Sequence, residues 1–159
     1  MTDKDIRNVD VRSLLPQQPP FVMIDRLLHL DDTATVAEFK VRPDCIFVDD
    51  GQLLAEGMTE CIAQTCAARI GYINVYILKK SVKLGVIGAV RNLAVARRPR
   101  VGEVIDITIT VREEVFRMIL ADARIEAGGE TIVTAEMKIA LSDTDMAQDA
   151  ATDKDIKAV

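Results

Sequence analysis

Three polar side chains, four residues apart, interrupt an otherwise apolar stretch of the chain. Glu56, Glu60 and Gln64 fall within AEGMTECIAQTCAARIG, whose other residues are mostly apolar or small. Residues four apart share one face of a helix, so the three side chains would form a polar line along it. A carboxyl group in apolar surroundings can act as a general acid or base, and an amide one turn away can orient it. We therefore predict that Glu60 is catalytic and that Gln64 orients it or binds the ligand.

Both glutamates also have a structural interpretation. Burying an unpaired carboxylate costs several kcal/mol, so Glu60 could instead be satisfied by backbone groups or by a neighbouring subunit. Glu56 lies near the start of the predicted helix, where the helix dipole favours an acidic side chain without any ligand. We favour the catalytic interpretation for Glu60 and the structural interpretation, stabilisation by the helix dipole, for Glu56. Glu56 is still kept as a candidate for substrate binding.

Histidine and cysteine usage restricts the chemistry. His29 is the only histidine, and the acidic turn that follows it favours a surface position at a strand end. Cys45, Cys61 and Cys66 lack the spacing of a metal site or of a Cys-x-x-Cys motif. We expect free, buried thiols, no metal and no cofactor.

Composition indicates a single globular domain. The chain has 159 residues, of which 49% are hydrophobic and 28% charged, and folds of this length bury roughly two-thirds of their extended-chain surface around one core. A polar, acidic start and the lack of an apolar run long enough to cross a bilayer predict a cytoplasmic protein. The formal net charge of -5 argues against general nucleic-acid binding, which requires a basic surface.

Hydrophobic periodicity predicts the elements that position Glu60. Residues 21–30 and 35–43 are rich in β-branched and apolar residues and flank a polar turn, which predicts a hairpin. From about residue 53 to 77, apolar residues recur at steps of three and four, which predicts one long, mostly buried helix. Asp49 and Asp50 precede it, and either could serve as its N-cap.

The rest of the chain has a β pattern. Four strand candidates follow residue 82, and turns at residues 98–102 and 128–129 make the last three an antiparallel meander. This order predicts an α+β domain in which an antiparallel sheet wraps one long central helix. We assign it to residues 12–141, between a loose polar arm at 1–11 and an acidic, disordered tail at 142–159.

Three segments resemble the β-hydroxyacyl-acyl-carrier-protein dehydratases of bacterial type II fatty-acid synthesis, which have the hotdog fold. LLPQQPPFVMIDRLL is similar to the opening of that family, ECIAQ to its central-helix signature, and RRPRVGE to the turn before its meander. The resemblance covers roughly residues 12–141. It implies a hotdog fold for this chain.

Only half of the family's catalytic dyad has a counterpart here. Glu60 matches the family's glutamate, but Ile46 occupies the position of its histidine, and Gln17 and Gln18 replace a common His and Arg. The segment FVDDGQLLAEGMTECIAQ is more similar to the dehydratase-like hotdog proteins of aryl-polyene and related polyketide-type clusters, which lack the usual histidine loop. That similarity implies substrates linked to acyl carrier protein, a homodimer or higher assembly, and an acyl tunnel at the subunit interface.

Dehydration of a 3-hydroxyacyl thioester needs proton transfer and a site that polarises the thioester carbonyl. Glu60 would supply one proton-transfer group. Backbone N–H groups around Gly57, at the positive end of the helix dipole, could bind the carbonyl oxygen. Asp49 and Asp50 could supply a second carboxyl group, although an Asp-Asp-Gly turn is more often only a helix cap.

A basic segment interrupts the acidic chain. Residues 79–100 contain several lysines and arginines and no acidic residue, so this segment could meet an anionic partner. Arg97, Arg98 and Arg100 are our candidates for docking an acyl carrier protein or the phosphate of its pantetheine arm. Solvated strand-end and loop charges explain the segment equally well.

The favoured function is a dehydratase-like protein that acts on 3-hydroxyacyl thioesters of acyl carrier protein. One alternative is an acyl thioesterase, because hotdog thioesterases also use a carboxylate on the central helix. Another is a non-catalytic hotdog subunit that binds an acyl chain or carrier protein, paired with an active dehydratase. The missing histidine is the main support for that last alternative.

Overall fold

A long buried helix lies at the centre of the fold. In a computed structural model, which describes residues 3–145 and the side chains of 5–142, helix α2 spans Ala55–Tyr72 and continues as a π-helical turn, Ile73–Ile77. Its sequence is rich in alanine and other good helix formers. Buried residues occur on nearly all of its sides, so it is a core helix and not an amphipathic surface helix. The predicted long, mostly buried helix is confirmed.

Six strands form one antiparallel sheet around α2: β1 (Arg26–Leu30), β2 (Ala34–Lys40), β5 (Lys83–Val95), β6 (Val104–Val115), β7 (Met118–Ala127) and β8 (Glu130–Asp145). Their order in the sheet is β1-β2-β6-β7-β8-β5. Along β6, Ile105, Ile107 and Ile109 are buried while the residues between them are more exposed, as expected for a sheet with one face on the core. The predicted α+β architecture, including the hairpin and the final meander, is confirmed.

The two aspartates predicted as a helix cap instead form a tight hairpin. Strands β3 (Val48–Asp49) and β4 (Gln52–Leu53) pair across the two-residue loop Asp50–Gly51. Both loop residues have positive φ, 48° and 71°, as a type I′ turn requires. The N-cap of α2 is Leu54, which makes no side-chain cap hydrogen bond. The N-cap prediction is therefore wrong, because an Asp-Gly pair between strand residues favours a hairpin.

Ordered structure extends into the predicted arm and tail. Residues Asp3–Ile6 form a short helix, α1, and a 3-10 turn follows at Val11–Ser13. Ile6 and Val11 lie in the core, so this part of the chain is not a loose arm. At the other end β8 continues to Asp145, past the predicted boundary at residue 141. The remainder of the predicted tail, 146–159, lies outside the described residues.

Candidate active site

The side chain of Gln64 connects the central helix to the chain segment before β1. Gln64 is fully buried; its Oε1 accepts a hydrogen bond from the N–H of Met23 at 2.6 Å, and its Nε2 donates to the carbonyl oxygen of Phe21 at 2.7 Å. Nε2 also donates to Oε1 of Glu60 at 2.8 Å. Both amide hydrogens are therefore used. Residues 21–25 are predicted as strand, but Phe21 and Met23 bond to this side chain instead, and β1 begins only at Arg26.

Glu60 lies at the wall of a small cleft. Its side chain is half-buried, and its Oε1 is held by Gln64. Within the described residues the carboxylate has no ion-pair partner, so its other oxygen is available to a ligand. The cleft has a volume of about 70 Å³. The predicted pairing of Glu60 and Gln64 on one helical face is thus present in the structure.

Small side chains keep this cleft open. Ala63 and Ala67 of α2 line one side, and Gly85 and Ile87 of β5 line the other. A Cβ atom at Gly85 would lie 3.2 Å from Cγ2 of Ile139, which is tighter than ordinary contact. Apart from Gln17 and Gln64, the side chains around the Glu60 carboxyl group are therefore mostly apolar and closely fitted, which suits a group that exchanges protons with a bound ligand.

The start of α2 is packed against the loop that replaces the family histidine. Gly57 lies in its first turn, and a Cβ atom there would come within 2.6 Å of Cβ of Phe47 and 2.7 Å of Cδ1 of Leu53. Only glycine fits this contact. Ile46, at the histidine position, is 44% exposed. Binding of a carbonyl oxygen by the N–H groups around Gly57 stays a prediction.

The remaining predicted carboxyl groups do not join the cleft. Asp49 and Asp50 are exposed in the β3–β4 hairpin, and Glu56 is exposed in the first turn of α2, where the helix dipole favours it. None of the three lines the cleft beside Glu60. Their substrate-binding roles remain predictions that this geometry does not favour.

Comparison with known proteins identifies the family. The model of the ApeP-like family, described as ApeP dehydratase, matches residues 9–151. The chain belongs to the ApeP-like family. No curated protein sequence matches it significantly. The predicted dehydratase-like identity is confirmed at this level.

Solved structures show the same fold. The dehydratase heterocomplex ApeI:P from Xenorhabdus doucetiae matches with a TM-score of 0.80 and 21% identity, over 89% of this chain and 97% of that chain. Zebra fish thioesterase superfamily member 2 matches with a TM-score of 0.66 and 16% identity, over 89% and 99%. A hypothetical thioesterase with coenzyme A from Streptococcus pneumoniae TIGR4 gives 0.60 and 12%, over 74% and 84%. These are hotdog-fold proteins, so the predicted fold is confirmed.

The only histidine of this ApeP-like chain lies far from Glu60. His29 bonds to Oδ2 of Asp31 at 2.9 Å, and that hydrogen bond is the main cause that lowers the pKa of Asp31. The carbonyl oxygen of Asp31 accepts from Arg69. Arg69 follows Glu60 by nine residues, so it lies on the opposite helical face and about 13 Å further along the axis. The predicted surface position of His29 at a strand end is confirmed.

Arg69 was not found from the sequence. Its side chain is 7% exposed and donates to the carbonyl oxygens of Asp31, Asp32 and Ala34 and to Oγ1 of Thr35. It therefore holds the β1–β2 turn against the helix. A charged residue inside a buried helix was the available signal, the same signal that selected Glu60.

Neither buried thiol of α2 is a suitable nucleophile. Cys61 and Cys66 are buried and free, as predicted. Burial raises the pKa of both thiols, for Cys66 to about 12, so they stay protonated at neutral pH. Cys45 is also free but only partly buried.

Across residues 3–145, no group of three or more histidine, cysteine or acidic side chains could hold a metal ion. In the same part of the chain, no helix is long and apolar enough to span a membrane.

The three arginines predicted to dock a carrier protein differ in their surroundings. Arg97 makes two hydrogen bonds to Glu103, at 2.9 and 3.1 Å, and a longer one of 3.4 Å to Glu130. Arg98 and Arg100 have exposed side chains, and only the backbone N–H of Arg100 bonds to Glu103. Arg97 thus stabilises the turn, while the other two guanidinium groups are accessible to a partner.

Proposed function

We propose that this ApeP-like chain is the glutamate-bearing subunit of a dehydratase that acts on 3-hydroxyacyl thioesters of acyl carrier protein. The observation that carries the proposal is the carboxyl group of Glu60 at the wall of an apolar cleft, oriented by Gln64. Membership of a family described as dehydratase supports the same reaction class.

The proposed reaction removes water from the acyl chain. A base takes a proton from C2, the C3–O bond breaks, and Glu60 gives its proton to the departing hydroxyl group. The electron pair of the C2–H bond forms the C2–C3 double bond, so an enoyl thioester and water result. A carboxyl group in an apolar site is suited to the acid step.

The base must come from another chain if the reaction follows the His–Glu chemistry of the related dehydratases. His29 is the only histidine, and it lies beyond Arg69 on the opposite face of α2. A histidine of a partner dehydratase would fill this role. The similar ApeI:P protein is described as a dehydratase heterocomplex, which supports such pairing.

Strand β5 offers the surface for that partner. It is an edge strand of the sheet and carries Val86, Ile87 and Leu93, which are 59%, 43% and 42% exposed. A long edge strand with exposed apolar side chains invites pairing with another chain. Ile87 also lines the Glu60 cleft, whose volume of about 70 Å³ cannot hold an acyl chain. A subunit that covers β5 would therefore extend the cleft into an acyl channel.

The decisive test is turnover by the reconstituted complex. We would mix the chain with a histidine-bearing hotdog dehydratase of the same organism, supply 3-hydroxyacyl carrier thioesters, and follow loss of water by mass spectrometry. Glu60→Gln should abolish turnover while the complex still forms, and Glu113→Gln, at an exposed glutamate of β6, should retain it as the matched control. Undiminished turnover by Glu60→Gln would refute the assigned role. Release of a carboxylic acid and a free thiol would favour the thioesterase alternative.

The carrier protein is proposed to dock at Arg98 and Arg100. Replacing both by alanine should weaken carrier binding several-fold, and the difference should shrink at high salt, because charge pairs at an interface are screened. Arg124→Ala, on the outer face of the sheet, is the control and should bind as well as the wild type. Equal affinity of the double variant and wild type in calorimetric titrations would remove this surface from the proposal.

A further inference from the structure

One polar atom in the Glu60 cleft lacks a partner. Gln17 lines the same cleft as Glu60, and its Oε1 is buried with no hydrogen-bond partner among the described residues. Buried polar atoms without partners are few in native structures, and each one requires a cause. The amide of Gln64, one helical turn from Glu60, is by contrast fully bonded.

The segment that carries Gln17 is held firmly against the central helix. Leu14 and Leu15 are fully buried, and a Cβ atom at Gly71 would lie only 2.5 Å from the carbonyl oxygen of Leu14. Gln17 follows this contact by three residues. A ligand that bonds to its side chain would therefore meet a largely preorganised group, which lowers the cost of binding.

The chemistry of the cleft selects the ligand group. Oε1 of Gln17 needs a hydrogen-bond donor that fits beside the carboxyl group of Glu60. An acyl chain and a thioester have no donor, whereas a hydroxyl group both donates and accepts and so can bond to either end of a carboxamide. The hydroxyl group at C3 of the substrate is also the group that Glu60 must protonate.

We infer that Gln17 is a specificity-determining residue whose carboxamide oxygen accepts a hydrogen bond from the substrate's 3-hydroxyl group and holds it beside Glu60. The inference rests on the proposed function, because it uses the same substrate and the same cleft. According to this inference, Gln17 makes the site prefer a 3-hydroxyacyl thioester to the same acyl thioester without the hydroxyl group. Its loss should weaken binding of the hydroxylated form selectively.

The test compares two probes on three proteins. Stable ketone analogues, 3-hydroxyhexanoyl-pantetheine and hexanoyl-pantetheine with a methylene group in place of the thioester sulfur, are titrated into the reconstituted complex. Wild type should bind the hydroxylated probe more tightly, by up to roughly tenfold for one hydrogen bond. Gln17→Met should lose most of this preference. Gln18→Met, the neighbouring exposed glutamine, should keep the wild-type preference.

The outcomes separate this inference from the proposal on which it rests. A preference retained by Gln17→Met, while Glu60→Gln abolishes turnover, overturns the role of Gln17 and leaves the proposed function standing. Failure of the wild-type complex to bind either probe overturns both. Gln17→Leu is the second apolar variant if Gln17→Met does not fold, as judged by thermal denaturation. Equal loss of affinity for both probes would indicate a structural role only and would also overturn the inference.

Discussion

Replacement of Gln64 by methionine should be among the most damaging single changes near the site. The two side chains have similar size, so the main loss is polar. The variant removes hydrogen bonds to Met23, Phe21 and Glu60. It also leaves the N–H of Met23, a residue only 1% exposed, without an acceptor. Three bonds at about 1 kcal/mol each give a destabilisation of about 3 kcal/mol. Burial of methionine is more favourable than burial of glutamine, but the unpaired N–H of Met23 offsets that gain, so the loss stays near this value.

Urea unfolding of Gln64→Met and wild type, followed by circular dichroism, measures this difference. The urea midpoint should fall at unchanged slope, since the exposed area on unfolding is the same. Gln18→Met, at an exposed glutamine, should stay within about 0.5 kcal/mol of wild type. The complex should also lose turnover, because the Glu60 carboxyl group is no longer oriented. A loss of free energy below about 1 kcal/mol would show that the amide does not hold the segment before β1.

Two further changes test the opposite end of α2. Arg69→Met removes four hydrogen bonds to the β1–β2 turn, about 4 kcal/mol at about 1 kcal/mol each, and also removes the desolvation cost of a buried charge. The free energy of unfolding should therefore fall by about 3 kcal/mol in urea unfolding, and a change under about 1 kcal/mol would contradict the buried network. Asp31→Asn tests the hydrogen bonds that lower the pKa of Asp31, first the bond to His29 and then those from the N–H groups of Ala34 and Thr33. A lowered carboxyl pKa adds stability above the ordinary aspartate range, and that stability is lost as pH falls from this range toward the folded-state value. The urea midpoint of wild type should thus fall more steeply below about pH 4 than that of Asp31→Asn. Identical profiles would show that the hydrogen bonds to the Asp31 carboxylate do not contribute to stability.

Local patterns predicted the helix and the pair within it. A period of three to four residues depends only on helix geometry, and so does the contact between Glu60 and Gln64, four residues apart. The hydrogen bond from Met23 to Gln64 joins residues 41 apart in sequence. No periodicity contains such a contact, and the apolar pattern therefore predicts residues 21–25 as strand. In the structure Phe21 is 55% exposed, its neighbours Met23 and Ile24 are both buried, and backbone groups of Phe21 and Met23 bond to the amide of Gln64.

Tertiary contacts also explain which polar residues were overlooked. Gln17 follows Pro16 in a polar, proline-rich segment, and only the packing of the preceding leucines against α2 brings it to the cleft. Asp49 and Asp50 show the opposite case, because an Asp-Asp-Gly sequence before a helix fits both a cap and a hairpin. In the structure Val48 pairs with Leu53, so the segment forms a hairpin and not a helix cap. The β-branched and apolar residues on both sides of the turn favour this pairing.

The position of the cleft links the chemistry to assembly. Glu60 is only half-buried in the single chain, and a carboxyl group that shares its site with water is a weaker electrostatic partner than one in a closed site. Ile87 belongs both to the cleft wall and to the exposed edge of β5. A partner on this edge would therefore exclude water from Glu60 at the same time as it supplies the missing base. We expect the isolated chain to bind substrate weakly and to turn it over only in the complex, because one surface governs both requirements.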